Sequence, residues 1–414
     1  MSTQTHDHVE TADGPSPARP GVQPGSPELT ALLDRISVDA DVRDRDGIAP
    51  FEQVAWVKQA GLGRLRVPVA EGGGGASVRE FFATLIALAE ADSNVAHILR
   101  THYWFVEQQL VAVDPAARAR GLAIITADQL VGNGFSEQSK HAVGLHFDTT
   151  ITRQPGGGYR LTGEKFYSTG TMYCDYTQIW AASGEHSIAG AVVPTDREGV
   201  TVEDDWDGFG QRLTGTGTTR LRDVAVHEDE FFDLGDPDDQ PTGYMGAFLQ
   251  LYLQAVTAGI LRSVRNDAVA LVQRRARNFS HAAAGSAAED RQVLQVVGEI
   301  SADAFAAEAI VLAAADAIQA AYDSVVDGAP DPAAAEAAQL AAAQAKIAVD
   351  GFSYATAAKL FDVGGASATQ KVHNLDRHWR NARVASTHNP TFLKASAVGD
   401  HHVNGASFPG NAYF

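Results

Sequence analysis

Along these 414 residues the apolar pattern changes its period twice, and that constrains the fold more than any single motif. Apolar residues at helical spacing must face a core along one stripe, whereas strict alternation buries one face of a sheet. Leu29, Leu32, Leu33 and Ile36 fall at i, i+3, i+4 and i+7, and Phe51, Val54 and Ala55 begin a second helical stripe. Ser77 and Glu80 have capping-box spacing ahead of Phe81, Phe82, Leu85, Ile86, Leu88 and Ala89, a run apolar enough to be interior. The period then drops to two: Phe147, Thr149 and Ile151 alternate before the turn at 154–158, and short runs rich in Val, Tyr and Trp continue beyond it. From Gly243 long Ala-rich helices return, expected at 244–280, 289–327 and 332–363, the last stopped by Gly364-Gly365.

The order predicts an α+β, multi-part fold. An N-terminal helical domain is expected at 28–125, a middle β domain at 126–235 and a C-terminal four-helix-type bundle at 236–414. Residues 1–27 are expected to be a disordered tail, because 14–27 holds five prolines and three glycines with almost nothing apolar.

Charge narrows the function. There are 51 acidic residues against 32 basic, a net charge of −19, which repels phosphate backbones and anionic lipid, so neither nucleic acid nor a membrane surface is an expected partner. The longest apolar stretches, 302–321 and 333–349, are interrupted by Asp303, Glu308, Asp316, Glu336 and Lys346, and no membrane span is expected. Cys174 is the single cysteine, which excludes an intrachain disulfide and a thiolate-rich metal site. With no signal-peptide pattern at the start, a cytoplasmic setting is expected.

Five segments carry candidate chemistry. Gly163-Glu-Lys-Phe-Tyr-Ser-Thr-Gly170 delivers Phe166 and the Ser168 hydroxyl into a turn, suited to a flat heteroaromatic ring or to an ordinary hairpin. Asn133–Gln138 and Trp206–Gly217, the latter including Thr216, place small hydroxyl residues among glycines. Arg274-Arg-Ala-Arg277-Asn-Phe279 is a basic run at a helix end, read either as a C-terminal cap or as a contact for phosphate or a neighbouring subunit. The segment 376–390 packs three arginines, two histidines and a tryptophan into a short stretch, with His388 at a bend before Asn-Pro. It is either a satisfied loop histidine or a cavity group. The glycines at 72–75 suggest a phosphate loop or a plain connection, and no Lys-Ser/Thr follows them. No histidine pair has metal-ligand spacing with a carboxylate, so no metal is expected.

Taken in this order the segments resemble the acyl-CoA dehydrogenase superfamily over about 28–405, most specifically in Gly163–Gly170 and in the G-x-R-x-T-G-x-G-T element at Gly210–Thr218. The resemblance implies an N-terminal helical domain, a middle β-barrel-like domain and a C-terminal four-helix bundle, with flavin between the β domain and the bundle of a homotetramer, Arg277 of a neighbour near the cofactor phosphate, and Phe279, Ser367 and Arg383 as further cofactor contacts.

Which reaction the fold runs turns on one residue. A dehydrogenase needs a carboxylate to remove the substrate α-proton. The matching stretch, Ser386-Thr-His-Asn-Pro390, has none, and from Val384 to Gly399 there is no Asp or Glu. Glu299 or Glu308 on an earlier helix is the remaining source of a base. Arg380-Asn-Ala-Arg383 followed by His388-Asn-Pro390 instead resembles the flavin-dependent monooxygenase branch typified by dibenzothiophene monooxygenase. That branch implies His388, Ser168 and Asn133 as catalytic residues, and Asn133, Phe166, Ser168, Trp206 and Thr216 around the flavin. It implies His97 and Thr101 on the substrate side. It departs from the pattern at Ala385, where the type has a second histidine, and at Thr101, where the type has tyrosine.

The implied activity is a two-component monooxygenase. It takes reduced FMN (FMNH2, with FAD the other possibility) from a separate NAD(P)H:flavin reductase and passes one atom of O2 through a C4a-hydroperoxyflavin to a small, largely apolar substrate at S or N. His388, with an ordinary imidazole pKa near ~6.5, would supply or manage the peroxide proton. The alternative is an FAD-dependent acyl-CoA dehydrogenase.

Overall fold

The computed structural model describes residues 21–140, 145–184, 187–236, 243–275, 278, 282 and 284–409. Seven helices come first: α1 (Pro27–Ser37), α2 (Ala40–Asp46), α3 (Phe51–Gln59), α4 (Val78–Ala91), α5 (Ser93–Ile98), α6 (Arg100–Val111) and α7 (Pro115–Thr126). Strands β1 (Val131–Gly134), β2 (Thr150–Arg153), β3 (Tyr159–Lys165), β4 (Tyr176–Ala182), β5 (Ile188–Pro194), β6 (Val200–Val202), β7 (Thr219–Val226) and β8 (Phe231–Gly235) follow. The chain then returns to helices α8 (Met245–Arg274), α9 (Arg291–Asp323), α10 (Pro332–Gly364), α11 (Arg377–Ser386) and α12 (Thr391–Asn404).

Local chemistry places the helix ends. Ser77 Oγ accepts from the Glu80 amide while Glu80 Oε2 accepts from the Ser77 amide at 2.9 Å, the expected capping box of α4. Gly365 closes α10 at φ +63°, a conformation that glycine adopts without strain. The expected disorder over 1–27 fails for its last residues. Val22 is buried and its amide donates to Ala60 O at 3.0 Å, and Ser26 caps α1. One valine finds an apolar slot that composition cannot reveal. The 72–75 loop is a connection, since the amides of Gly74 and Gly75 are spent on Arg64 O and Val67 O.

The strands form one sheet in the order β6-β7-β3-β2-β4-β5-β8, with β1 parallel beside β4. Alternating residues such as Leu161, Ile179, Val193 and Val224 make a core that belongs to the sheet alone. The helices before and after the sheet share a second core: Phe81 of α4 stacks on Phe248 of α8, and Phe82 packs against the same ring at a tilt. Helices α8, α9 and α10 pack pairwise, and α11 and α12 close the remaining side along α10. Contrary to expectation, α8 is long and apolar enough to cross a membrane by composition. However, 83% of its most apolar stretch is buried inside the protein, as the centre of a bundle requires.

His102 ties the N-terminal helices to the sheet. Its Nε2–H donates to Gly63 O at 2.8 Å and its Nδ1 accepts from the Val131 amide at 3.2 Å, so both nitrogens are used by a neutral ring. Burial pushes its pKa down to about 4. The unfolded chain binds that proton near pH ~6.5, so the contribution of His102 is complete above that value and is lost as pH falls toward 4. Urea unfolding should show stability falling between pH 7 and 4.5, with ~2 kcal/mol attributable to His102. A His102→Gln variant should show a shallower pH slope, and equal slopes in the two proteins would refute the assignment.

Candidate functional site

Four of the five candidate segments meet α5 and α6 around one cavity of about 520 Å³. Strand β1 brings Asn133 to its wall because it runs parallel beside β4, and Phe135, Ser136 and Glu137 follow directly. After β3 the chain turns through Tyr167 at φ +56° and Gly170 at φ +82°, which brings Tyr167 and Thr169 to the cavity. Trp206, Gln211 and Thr216 come from the 206–217 loop, Val384 and Thr387 from α11 and its end, and His388 from the α11–α12 bend.

The 206–217 loop is held by short-range chemistry. Trp206 Nε1 donates to Gln211 O at 3.0 Å, and the Asp205 carboxylate receives the Thr218 amide and hydroxyl at 2.7 and 2.6 Å. Helix α11 grips the same loop: the Gln211 amide donates to Asn381 Oδ1 at 2.6 Å and Arg380 donates to Phe209 O at 3.1 Å. Gly210 lies under this grip, where a Cβ would stand 2.1 Å from Arg380 O.

The cavity wall mixes aromatic rings with hydroxyls. Trp104 stacks on Trp180 at 5.3 Å and 10°, and Tyr167 meets Trp206 edge-on at 6.1 Å. The hydroxyls of Thr169, Thr216 and Thr214 form a chain at 3.0 and 2.7 Å. His97 Nδ1 lies 2.9 Å from Gln211 Oε1, and burial and Arg100 push its pKa down to about 4 against that hydrogen bond. Arg100, itself buried, donates through Nε to Leu249 O and through Nη1 to His388 Nε2, both at 3.2 Å. His388 is exposed, lining both this cavity and a second one bounded by α12. Even so, the protein packed round it, then Arg100, His97, Lys346 and Lys394, hold its pKa well below the ordinary imidazole value.

Among the described lining residues the one carboxylate is Glu137, and it is fully engaged. Lys165 Nζ sits 2.5 Å away, and the amides of Asp148 and Thr149 donate at 2.6 and 3.1 Å. Burial opposes its charge, but Lys165 and these bonds hold its pKa below the usual carboxylate range. The two alternative bases lie outside the cavity: Glu299 pairs with Lys359 at 3.2 Å and Glu308 faces Arg262 at 3.7 Å.

Of the residues expected from sequence, Asn133, Trp206, Thr216, His97, Thr101 and His388 line this cavity. Ser168 sits just behind the wall, completely buried. Phe166 does not line it, because the left-handed turn presents the next ring, Tyr167. Arg383 turns to Tyr354, donating to its hydroxyl at 3.0 Å, and exposed Ser367 bonds its own turn at Gly364 O. Neither reaches the cavity within one chain. Arg277 and Phe279 lie outside the described residues. Sequence reading missed Arg100, Gln211, Trp104 and Tyr167. Arg100 carried one usable signal, an arginine three residues after His97 in an apolar stretch.

A flat cofactor suits the residues present. Asn133 Oδ1 and Ser168 Oγ are buried with no hydrogen-bond partner, a cost of ~1–3 kcal/mol each unless something else supplies one. Gly210→Ala should lift the 206–217 loop from α11, lowering stability by ~1–3 kcal/mol. It should also weaken flavin binding measured by fluorescence quenching; unchanged binding would separate the loop from the cofactor site.

Comparison with known proteins gives the same picture. Residues 132–224 match the family model described as "Acyl-CoA dehydrogenase, middle domain", and residues 251–391 match "Acyl-CoA dehydrogenase, C-terminal domain". Dibenzothiophene monooxygenase of Mycolicibacterium goodii is 28% identical over 87% of this chain and 89% of its own. The probable FMNH2-dependent monooxygenase SfnC of Pseudomonas putida is 28% identical over 91% and 93%. TdsC from Paenibacillus sp. A11-2, solved in complex with FMN and indole, superposes with a TM-score of 0.86 at 26% identity, covering 94% of this chain and 98% of that one.

Proposed function

The chain belongs to the acyl-CoA dehydrogenase superfamily, in its flavin-dependent monooxygenase branch, and we propose that it oxygenates a planar, largely apolar substrate at sulfur or nitrogen. It is a reduced-FMN-dependent monooxygenase. One observation carries this reading over the dehydrogenase: the cavity carboxylate, Glu137, is spent on Lys165 and two amides, while the end of α11 contributes His388. A carboxylate held below its usual pKa, with its lone pairs engaged, is a poor base for a C–H proton.

Reduced FMN, when bound, would supply the O2 chemistry that no side chain can perform. The chain contributes position, dryness and hydrogen bonds. Asn133 Oδ1, Ser168 Oγ and the Thr169–Thr216 pair are the groups available to the isoalloxazine edge, with Tyr167 and Trp206 as ring neighbours. Trp104, Phe135, Leu249 and Val384 exclude water from the substrate side and suit a flat apolar ring. His97, Thr101 and His388 line the same cavity, which supports a substrate-side role for the first two and a hydrogen-bonding role for His388.

The partners follow from this reading. A separate NAD(P)H:flavin reductase provides FMNH2, and a cytoplasmic setting supplies its reductant. Exposed apolar side chains on the bundle, Phe305 at 75% and Phe392 at 73%, support self-association, which we read as a homotetramer.

The deciding experiment supplies reductase, FMN and isotopically labelled oxygen with thiophene-, sulfide- and indole-type substrates. Label should enter the product, and an acyl-CoA thioester should not bleach the FAD-loaded protein anaerobically; thioester-driven bleaching would overturn the reading. His388→Ala should cut product by ~10²-fold while hydrogen peroxide continues to form. An unchanged product yield would remove His388 from the reaction.

A further inference from the structure

The contact between Arg100 and His388 says more than proximity. A guanidinium has five N–H donors and no acceptor, and it stays protonated at every pH at which a protein folds. With Arg100 Nη1 at 3.2 Å from His388 Nε2, that nitrogen must offer its lone pair, which leaves the ring proton on Nδ1. Arg100 is placed for this independently of the histidine. Its Nε donates to Leu249 O of α8, and α6 packs against α8, so the fork is fixed before His388 arrives on its bend.

We propose that Arg100 fixes His388 as the Nδ1–H tautomer, making this imidazole a neutral hydrogen-bond donor, and not a proton source, toward an oxygen acceptor in the cavity. The choice of acceptor rests on the monooxygenase reading; the tautomer does not. Arg100 is a positioning residue, acting through His388.

Cations near the bend reinforce the neutral state. Arg100 reaches the ring from α6, and the charges of Lys346 on α10 and Lys394 on α12 also oppose a positive charge there. His97 on α5 is itself neutral in the neutral range, and burial and Lys346 push Lys394 down to about 7, so its share fades across that range. Lys346 is itself held by Asp350 at 2.8 Å and by Ser386 O at 2.9 Å, so it keeps its place behind the bend. An imidazolium at this position would have to turn an N–H toward Arg100 and lose the bond. A neutral ring keeps that bond and leaves Nδ1–H for the site. A donor that does not titrate gives the same hydrogen bond across the neutral range, whereas an ordinary histidine would change from two donors to one near pH ~6.5.

The test reads the tautomer directly, with no flavin or substrate present. The full chain, labelled with nitrogen-15 at histidine, is examined by long-range nitrogen–proton NMR, and the His388 signals are assigned by their loss in His388→Gln. A pyrrole-type Nδ1 and a pyridine-type Nε2, unchanged from about pH 6 to 8, support the proposal. An Nε2–H tautomer or an imidazolium at neutral pH in the unaltered protein overturns it. In Arg100→Met the ring should mix tautomers and its protonation midpoint should rise toward the ordinary range, while Arg100→Lys should restore part of the neutral state. A spectrum of Arg100→Met identical to that of the parent overturns the proposal as well, and if this variant fails to fold, the spectrum of the unaltered protein still decides. With reductase present, the share of reducing equivalents lost as hydrogen peroxide should be flat over the same pH range in the parent and pH-dependent in Arg100→Met. Failure of all oxygen transfer alongside the predicted tautomer would count against the monooxygenase reading alone.

Discussion

A buried polar seam around Asp44 holds the site together. Asp44, almost fully buried on α2, accepts from Arg380 at 3.1 Å, from Asn381 at 3.3 Å and from Asn374 at 2.9 Å. Asn381 passes the connection to the Gln211 amide, and Gln211 passes it to His97 and Ser93 on α5. One network therefore joins the N-terminal helices, the loop of the sheet region and α11. A carboxylate this deep is tolerable only with its partners in place, and removing one member of such a group costs ~3–5 kcal/mol. Because the cavity is bounded by the same three parts, its shape depends on this seam.

The two cores explain why a polar seam is needed. The sheet buries its own apolar face, and the helices bury theirs together, so apolar packing alone does not fix the loop at 206–217 against α11. Directional bonds do. Close approach at Gly210, the Asp205–Thr218 pair and the Arg380–Phe209 bond set that loop to within a side-chain diameter, which is the precision that positioning a flat ring demands.

The electrostatics of the cavity suit oxygen transfer better than proton abstraction. Glu137 is ionised and saturated, His97 and His388 are neutral, and Lys165, pushed down to about 8 by burial, is committed to Glu137. No group here is poised as a strong base, and several are poised to donate or accept hydrogen bonds. In a chain with a net charge of −19, the cations gathered behind His388 are a local reversal that keeps this corner free of an extra proton.

The sequence by itself determined the order of helices, sheet and helices, because period 3.6 and period 2 cannot bury the same face. Residue types alone left Asn133, Trp206, Thr216 and His388 open to ordinary turn or loop roles, and it was the family resemblance of their segments that singled them out. The sequence could not separate Phe166 from Tyr167, since the choice turned on one left-handed residue that reverses the alternation after β3. Nor could it find Arg100 or Gln211. Both act through partners more than a hundred residues away in the chain, and only packing α6 against α8 and α11 against the 206–217 loop brings those atoms within hydrogen-bond reach. Local pattern sets which face of an element is buried; which two buried faces meet, and so which tautomer a histidine holds, was decided by the tertiary structure.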